Sequence, residues 1–143
     1  MPEHESRLSL PGKIEQVRAA CDFVVKAAQD AGFGDDGIFQ SQLAVEEIFT
    51  NIVEHGYEHD NDNKKIELIT EITPDALIIS ILDEAPPFNP LQLDSPDAKA
   101  SLWERERGGW GVYFVRKLMD KVEYKLDNER NRLILEKKRP QAS

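Results

Sequence analysis

A helix with a polar stripe on an apolar surface constrains the fold of this chain more than any other feature. The stretch "VEEIFTNIVEHGYE" begins at Val45, and its apolar residues recur at helical spacing, so the helix should be mostly buried. Glu47, Asn51 and His55 follow one another at intervals of four residues and therefore stack along one face. A carboxylate, an amide and an imidazole in that position need polar partners, which the fold or a ligand must supply.

The elements around this helix predict a layered fold. Apolar residues within 13–31 recur three and four positions apart, which indicates an amphipathic helix that ends at Gly32. The polar-striped helix is predicted to cover residues 38–54 and to stop at Gly56. Strand patterns occur in "ESRLSLPG" before these helices, and in "KKIELITEIT" and "ALIISIL" after them, with a Pro-Asp turn joining the last two.

The carboxyl-terminal part adds further elements after a long interruption. No regular pattern covers residues 83–108, and a loop of that length in a compact domain is usually a functional lid or a disordered segment. "WGVYFVRKLMD" then predicts a third helix, and "VEYKLD" and "NRLILEKK" predict two strands joined by a turn at "NERN". The sum is an α/β two-layer sandwich with a mixed, mostly antiparallel sheet and helices packed on one face.

Composition and charge narrow the class of protein. The 143 residues suit one domain, 1–143, and no apolar run is long enough to span a membrane. A net charge of −9 repels nucleic-acid phosphates, so direct binding to nucleic acid is not expected. The charged start does not resemble a signal peptide, and the single cysteine, Cys21, allows no internal disulfide. The sequence therefore predicts a cytoplasmic protein without a membrane partner.

Two further segments carry polar groups that could form one site with the polar stripe. Asp83 leaves a buried strand into the Pro-rich "DEAPPFNP", although an acid in such a place is often plain turn chemistry. Gly108, Gly109 and Gly111 open the third helix, where free backbone N–H groups favour phosphate; a hinge is the alternative. No strand directly precedes these glycines and no Gly-Lys-Ser/Thr follows them, so the segment is neither a dinucleotide fingerprint nor a P-loop.

The three segments, taken in order, resemble the motifs of the GHKL (Bergerat-type) ATPases. The likeness rests on E-x-x-x-N in the polar-striped helix, D-x-x-x-P-F beginning at Asp83 and R-G-G-x-G beginning at Arg107. Within that superfamily the chain is similar to the bacterial anti-sigma-factor serine/threonine protein kinases, through "VEEIFTNIVEHGYE", "PPFNP" and "GGWGVYFVRKLMDKVEYK". The resemblance covers most of the chain, and it implies a Bergerat-type ATP-binding fold.

The resemblance implies a role for each motif residue. Glu47 corresponds to the general base that takes a proton from an attacking hydroxyl, and Asn51 to a ligand of magnesium. Asp83 corresponds to the aspartate that accepts a hydrogen bond from the adenine amino group. A lid would cover about residues 85–108. His55 has two open interpretations, contact with phosphate or capping of the helix. The other implied ATP-binding positions are Ala85, Phe88, Arg107, Gly108, Gly109 and Gly111.

The resemblance also implies a regulatory function. It implies ATP and Mg2+ as cofactors, a sigma factor or another effector as partner, an anti-anti-sigma (antagonist) protein as substrate, and a possible homodimer. The chain departs from the family pattern at Ala85, where glycine is usual, and near Asn131, Arg132 and Leu133, where Thr or Ser is usual. The alternative function is therefore a partner-binding adaptor with a weak or vestigial nucleotide site. If the turn at Ala85 needs positive φ, that residue carries strain of about 1 kcal/mol. If the turn has negative φ, the only cost is the extra methyl group, which crowds the adenine pocket.

Overall fold

One five-stranded sheet forms a layer of the molecule in the computed structural model, which describes residues 4–59, 61–92 and 110–140. The order across the sheet is β1-β2-β3-β5-β4, and each neighbouring pair is antiparallel. The predicted two-layer α/β sandwich is confirmed, with a sheet that is antiparallel at every described pairing. The strands are β1 (His4–Gly12), β2 (Asn61–Ile72), β3 (Ala76–Asp83), β4 (Lys121–Asp127) and β5 (Arg130–Lys138).

The helices that pack on this sheet follow the predicted order. They are α1 (Val17–Asp30), α2 (Asp35–Asn51) and α3 (Trp110–Leu118). Gly32, with φ of +89°, follows α1, and the N–H of Phe33 donates to the carbonyl of Ala28 at 3.1 Å, so the predicted glycine stop is confirmed. Within the described residues, no helix is long and apolar enough to cross a membrane.

The second helix begins earlier than its apolar pattern indicates and ends in a wider turn. Gly34 is extended and lies before α2, and Asp35 and Asp36 occupy the first turn, where acidic side chains stabilise the positive end of the helix dipole. At the other end, residues Ile52–Gly56 form a π-helical turn, in which the N–H of Tyr57 donates to the carbonyl of Ile52 at 2.7 Å. The predicted stop at Gly56 is confirmed, but the last turn is not α-helical. Such π-turns are frequent at functional sites.

The core lies between the helices and one face of the sheet. Alternate residues of the central strands point inward, and Cys21 of α1 is buried beside the same core. Burial, together with the nearby charges of Glu46 and Asp22, raises the pKa of the Cys21 thiol to about 11, so the thiol is unreactive at neutral pH. The largest inward residues include Val45, Phe49, Ile66, Leu68, Ile79, Ile81 and Leu135.

The opposite face of the sheet carries charged side chains over an apolar strip. Arg130 Nη1 lies 3.0 Å from Glu67 Oε1, and β3 runs between the strands that carry these two residues. Arg132 donates to Asp127 and, at 3.1 Å, to Ser80 Oγ. Arg132 is therefore on the outer face of β5, while its neighbours Asn131 and Leu133 point to the helices. Because side chains alternate along β5, Asn131 and Leu133 lie on the helix side of the sheet and Arg132 does not.

Candidate nucleotide site

A cavity of about 480 Å3 lies where the carboxyl end of α2 meets the ends of β3 and β5. Its volume is in the range of cavities that hold small-molecule ligands. A shallower depression of about 540 Å3 lies beside Phe33 and Lys138 and contains none of the predicted site residues. The residues that line the cavity are Ile48, Asn51, Ile52, His55, Gly56, Glu58, Asp83, Ala85, Pro86, Pro87, Phe88, Pro90, Tyr124, Asn131 and Leu133.

Several of the residues predicted from the sequence meet at this cavity. Five of them line it, although they come from two separate segments: Asn51, His55, Asp83, Ala85 and Phe88. Glu47 is half-buried one turn before Asn51 and is not part of the cavity wall that the described residues form. Gly111 lies in the first turn of α3, as its motif predicted. The predicted positions Arg107, Gly108 and Gly109, and most of the predicted lid, lie outside the described residues.

Asp83 is the buried acid of the cavity. The residue is 8% exposed, and burial raises the pKa of its carboxyl, while hydrogen bonds from Asn131 and from the backbone of Ala85 act in the opposite direction. Both hydrogen bonds reach the same oxygen, since Asn131 Nδ2 and the N–H of Ala85 each lie 2.9 Å from Oδ1. No described residue donates to Oδ2, so that oxygen is available to a ligand.

Asn131 and Tyr124 complete this wall. Asn131 stands where the resembled family usually has Thr or Ser, and neither residue was among the predicted nucleotide-binding positions. Asn131 is 7% exposed and lies directly opposite Asp83 in the pairing of β3 with β5. Its Oδ1 accepts hydrogen bonds from Tyr124 Oη at 2.5 Å and from the N–H of Phe88 at 3.1 Å. The signal in the sequence was the departure from the family pattern at Asn131, where Thr or Ser is usual.

Tyr57 connects the end of α2 to the start of the Pro-rich segment. Its hydroxyl donates to the carbonyl of Lys65 at 2.6 Å and accepts from the N–H of Glu84 at 2.8 Å. Burial is the main cause of the raised pKa of this phenol, so the hydroxyl keeps its proton and remains a donor at physiological pH. Because Glu84 directly follows Asp83, Tyr57 fixes the point where the chain leaves β3.

The departure at Ala85 does not strain the backbone. Among the described residues, positive φ outside glycine occurs at Glu58, His59, Asn128 and Glu129, and not at Ala85. Of the two alternatives for this turn, left-handed strain at Ala85 is therefore excluded. A methyl group at Gly56 would meet the Ala85 methyl at 3.1 Å, so the glycine on α2's last turn provides the room that Ala85 fills.

The other end of the cavity is formed by the end of α2 and is polar but not basic. The Asn51 side chain makes no capping hydrogen bond, and it faces the cavity together with His55. No Lys or Arg is among the described residues that line the cavity. A polyphosphate bound here would need a cation from outside this wall, and an amide oxygen such as that of Asn51 is a ligand that magnesium accepts. The donor set therefore fits a magnesium nucleotide.

A buried carboxylate acceptor at the end of a strand, next to a helix that carries an amide and a carboxylate one turn apart, is an arrangement that suits a nucleotide. Comparison with known proteins agrees with a nucleotide site. Residues 10–137 match the model of the histidine kinase-like ATPase domain, and the chain belongs to that family.

Relatives within the family are bacterial serine-protein kinases. The chain is 28% identical over 122 residues to the serine-protein kinase RsbW of Bacillus licheniformis. The aligned region covers 82% of this chain and 76% of the relative. It is 29% identical over 137 residues to RsbW of Oceanobacillus iheyensis, and that aligned region covers 90% of this chain and 82% of the relative. The chain is thus related to these kinases at a distance.

A solved structure agrees with the fold. The crystal structure of the RsbU and RsbW domains of Rv1364c from Mycobacterium tuberculosis superposes with a TM-score of 0.67 at 17% sequence identity. The match covers 97% of this chain and 34% of that chain, so this chain spans about a third of that protein. The likeness concerns the fold alone.

Proposed function

We propose that this protein is an ATP-dependent serine/threonine protein kinase of the anti-sigma-factor type, acting in a partner-switching system. The observation that carries the proposal is the carboxylate of Asp83, which is buried in the cavity wall with Oδ2 unpaired among the described residues. An acceptor of this kind pairs with the amino group of adenine, whereas guanine presents a carbonyl there and would leave both acceptors unpaired. The family membership and the relationship to RsbW kinases support the same class of reaction.

The helix end of the cavity supports phosphoryl transfer. Asn51 would hold a magnesium ion together with nucleotide oxygens and water, because its amide oxygen is a hard ligand and magnesium takes few ligands from protein. Magnesium supplies charge neutralisation at the transferring phosphoryl group. Glu47, one turn before Asn51, would take the proton from a serine or threonine hydroxyl. The hydroxyl oxygen forms the new bond to the γ-phosphorus, the bond from that phosphorus to the bridging oxygen breaks, and ADP leaves.

The partners follow from this reaction class. The substrate would be a small antagonist (anti-anti-sigma) protein, and the second partner a sigma factor or another effector. A new phosphate with about two negative charges would be repelled by a protein of net charge −9, so phosphorylation would release the antagonist and free the kinase for its other partner. A homodimer is part of the proposal by likeness to the family.

Transfer of labelled phosphate tests the proposal. Proteins that the chain retains from an extract of its source cell would be identified, purified and incubated with it, with magnesium and with ATP labelled at the γ-phosphate. Label on a serine or threonine of a small retained protein supports the kinase. Stable retention of that protein without label, in a preparation that binds ATP poorly, contradicts the proposed kinase activity and supports the partner-binding adaptor. The apolar Leu133 at the cavity wall would suit such an adaptor.

A further inference from the structure

The side chain of Asn131 uses its full hydrogen-bonding capacity on protein atoms. Nδ2 lies 2.9 Å from Asp83 Oδ1, 3.0 Å from the carbonyl of Ala85 and 3.3 Å from the carbonyl of Pro86. Oδ1 accepts from Phe88 and Tyr124. An amide has two N–H donors and one oxygen with two lone pairs, so no capacity remains for a ligand.

The surroundings also fix which way the amide points. Three acceptor oxygens surround Nδ2, and two donors, one N–H and one O–H, surround Oδ1. The reversed amide would place its oxygen against three acceptors and an N–H group against the N–H of Phe88, which is unfavourable, although the Tyr124 hydroxyl could accept from it. The orientation of Asn131 is therefore determined by its neighbours.

This network joins segments that are distant in the chain. Asn131 lies on β5, Tyr124 on β4, and Asp83 at the end of β3, with residues 85–88 following. Because Oδ1 of Asp83 is held by Asn131 and by the N–H of Ala85, the carboxylate cannot rotate freely and Oδ2 keeps one direction. The backbone of residues 85–88 is tied to the same amide at three points, although the Phe88 side chain is 58% exposed.

We propose that Asn131, held in place by Tyr124, is a positioning residue for adenine recognition. It fixes the Asp83 carboxylate and the segment 85–88 so that Oδ2 meets the exocyclic amino group of the purine, while Asn131 itself does not touch the base. This inference rests on the proposed function, since it assigns how that site selects adenine over guanine. Leu133, the next inward residue of β5, lines the cavity without any polar group, so Asn131 is the polar side chain that β5 brings to this wall.

A pair of matched substitutions in one hairpin tests the inference. Asn131→Asp keeps the shape of the side chain, removes both N–H donors and adds a carboxylate beside Asp83. Asn128→Asp makes the same change in the exposed turn between β4 and β5. Two measurements use nucleotide-free protein: the NMR titration of the Asp83 carboxyl and the hydrogen exchange of the Phe88 amide. Two more are the dissociation constants for magnesium ATP and magnesium GTP.

We expect Asn131→Asp to titrate Asp83 at higher pH, to speed Phe88 exchange about tenfold and to lower the preference for ATP over GTP at least tenfold. Asn128→Asp should leave all four measurements within about twofold of the parent. If Asn131→Asp does not fold, Tyr124→Phe, which removes one donor to the amide, should move the ATP preference in the same direction by a few-fold.

The outcomes separate this inference from the proposed function. A folded Asn131→Asp variant with parental Phe88 exchange, Asp83 titration and ATP preference overturns the positioning role. Equal effects of Asn128→Asp would also overturn it, because charge alone would then explain the change. A parent protein that binds neither nucleotide refutes the proposed function and the role in selection, while the two nucleotide-free measurements still decide whether Asn131 holds residues 83–88.

Discussion

The two ends of the cavity differ in how far protein atoms satisfy their polar groups. At the sheet end, defined by Asp83, Tyr124 and Asn131, the side chains are hydrogen-bonded to one another and only Oδ2 of Asp83 lacks a partner among the described residues. At the helix end, defined by Glu47, Asn51 and His55, the described residues form no side-chain hydrogen bond with any of the three. The sheet end is preorganised for one group, whereas the helix end requires ligands to complete it.

This contrast separates recognition from chemistry. A preorganised acceptor loses little entropy when a base binds, so substitutions at the sheet end should change selectivity and stability together. Groups that act only on bound ligands contribute little to the folded state, so substitutions at the helix end should change rate or metal dependence and leave stability nearly unchanged.

The largest expected effect is at the helix end. Glu47→Ala should lower the rate of phosphate transfer to the antagonist by about 100- to 10,000-fold, because a general base contributes about that much. ATP affinity and thermal stability should remain near those of the parent. Radiolabel transfer under single-turnover conditions measures the rate, with Glu46→Ala, at the exposed neighbouring position, as the control. A rate within a few-fold of the parent would remove Glu47 from the mechanism.

The next effect is at the sheet end. Asp83→Asn should reduce the preference for ATP over GTP by about 10- to 100-fold, because a hydrogen bond to a charged group contributes about 1.5 to 3 kcal/mol. Calorimetric titration with non-hydrolysable analogues of both nucleotides measures the preference. If Asp83→Asn kept the parental preference, the assignment of Asp83 to the adenine amino group would fail.

Asn51→Ala sharpens the contrast through metal dependence. It should weaken magnesium ATP binding by about tenfold, or about 1.4 kcal/mol, and a rise in magnesium should restore part of the loss. The same titration in excess chelator supplies the control, since parent and variant should then bind ATP equally. A deficit that persists without magnesium would show that Asn51 contacts the nucleotide directly rather than through the metal.

The stability of the sheet end should depend on pH. Burial raises the pKa of Asp83 above its ordinary value of 3.8, so the folded state binds this proton more tightly than the unfolded state does. The contribution of the protonated Asp83 carboxyl to the free energy of unfolding is therefore complete below pH 3.8. It is lost as pH rises through the raised pKa. Glu84 reinforces this shift and Lys64 opposes it. Urea unfolding across pH should show the parent losing stability relative to Asp83→Asn, and a pH-independent difference would contradict the assignment.

The smallest effect concerns the contact that joins the two ends. Gly56→Ala should reduce the free energy of unfolding by about 1 kcal/mol, because the new methyl would lie 3.1 Å from that of Ala85. Adding Ala85→Gly should recover most of that loss, since it removes the opposing methyl. Denaturant unfolding of both single variants and the double variant gives the coupling energy. Additive effects would show that the two methyl groups do not compete for the same space.

Periodicity predicted the elements of the fold because burial on one side acts on every residue of a helix or strand. The spacing of apolar residues located α1, both hairpins and α3, and the glycines after α1 and α2 marked their ends. The π-turn at Ile52–Gly56 was not predictable, because one inserted residue changes the local pitch without changing the residue types around it. The earlier start of α2 came from Asp35 and Asp36, whose effect on the helix dipole is not part of an apolar pattern.

The site was only partly predictable for a related reason. Motif residues identified Asn51 and Asp83, since the resemblance assigns a role to each position along the chain. The role of Asn131 depends on the register of β5 against β3, which sequence does not specify, and on a two-residue turn at Asn128 and Glu129, both with positive φ. A shift of one residue would have placed Arg132, now on the outer face, beside Asp83.

The pairing of β3 with β5 has a consequence for how the molecule folds. The β2–β3 and β4–β5 hairpins close through short turns, whereas the Asp83–Asn131 hydrogen bond joins residues 48 positions apart. Local hairpins form in about 1 to 10 μs, and joining distant segments is slower because the intervening chain must first be closed into a loop. We therefore expect the cavity between α2, β3 and β5 to assemble late, after both hairpins exist. In kinetic experiments Asn131→Asp should speed unfolding and leave the folding rate nearly unchanged, whereas slower folding would place this contact in the folding nucleus.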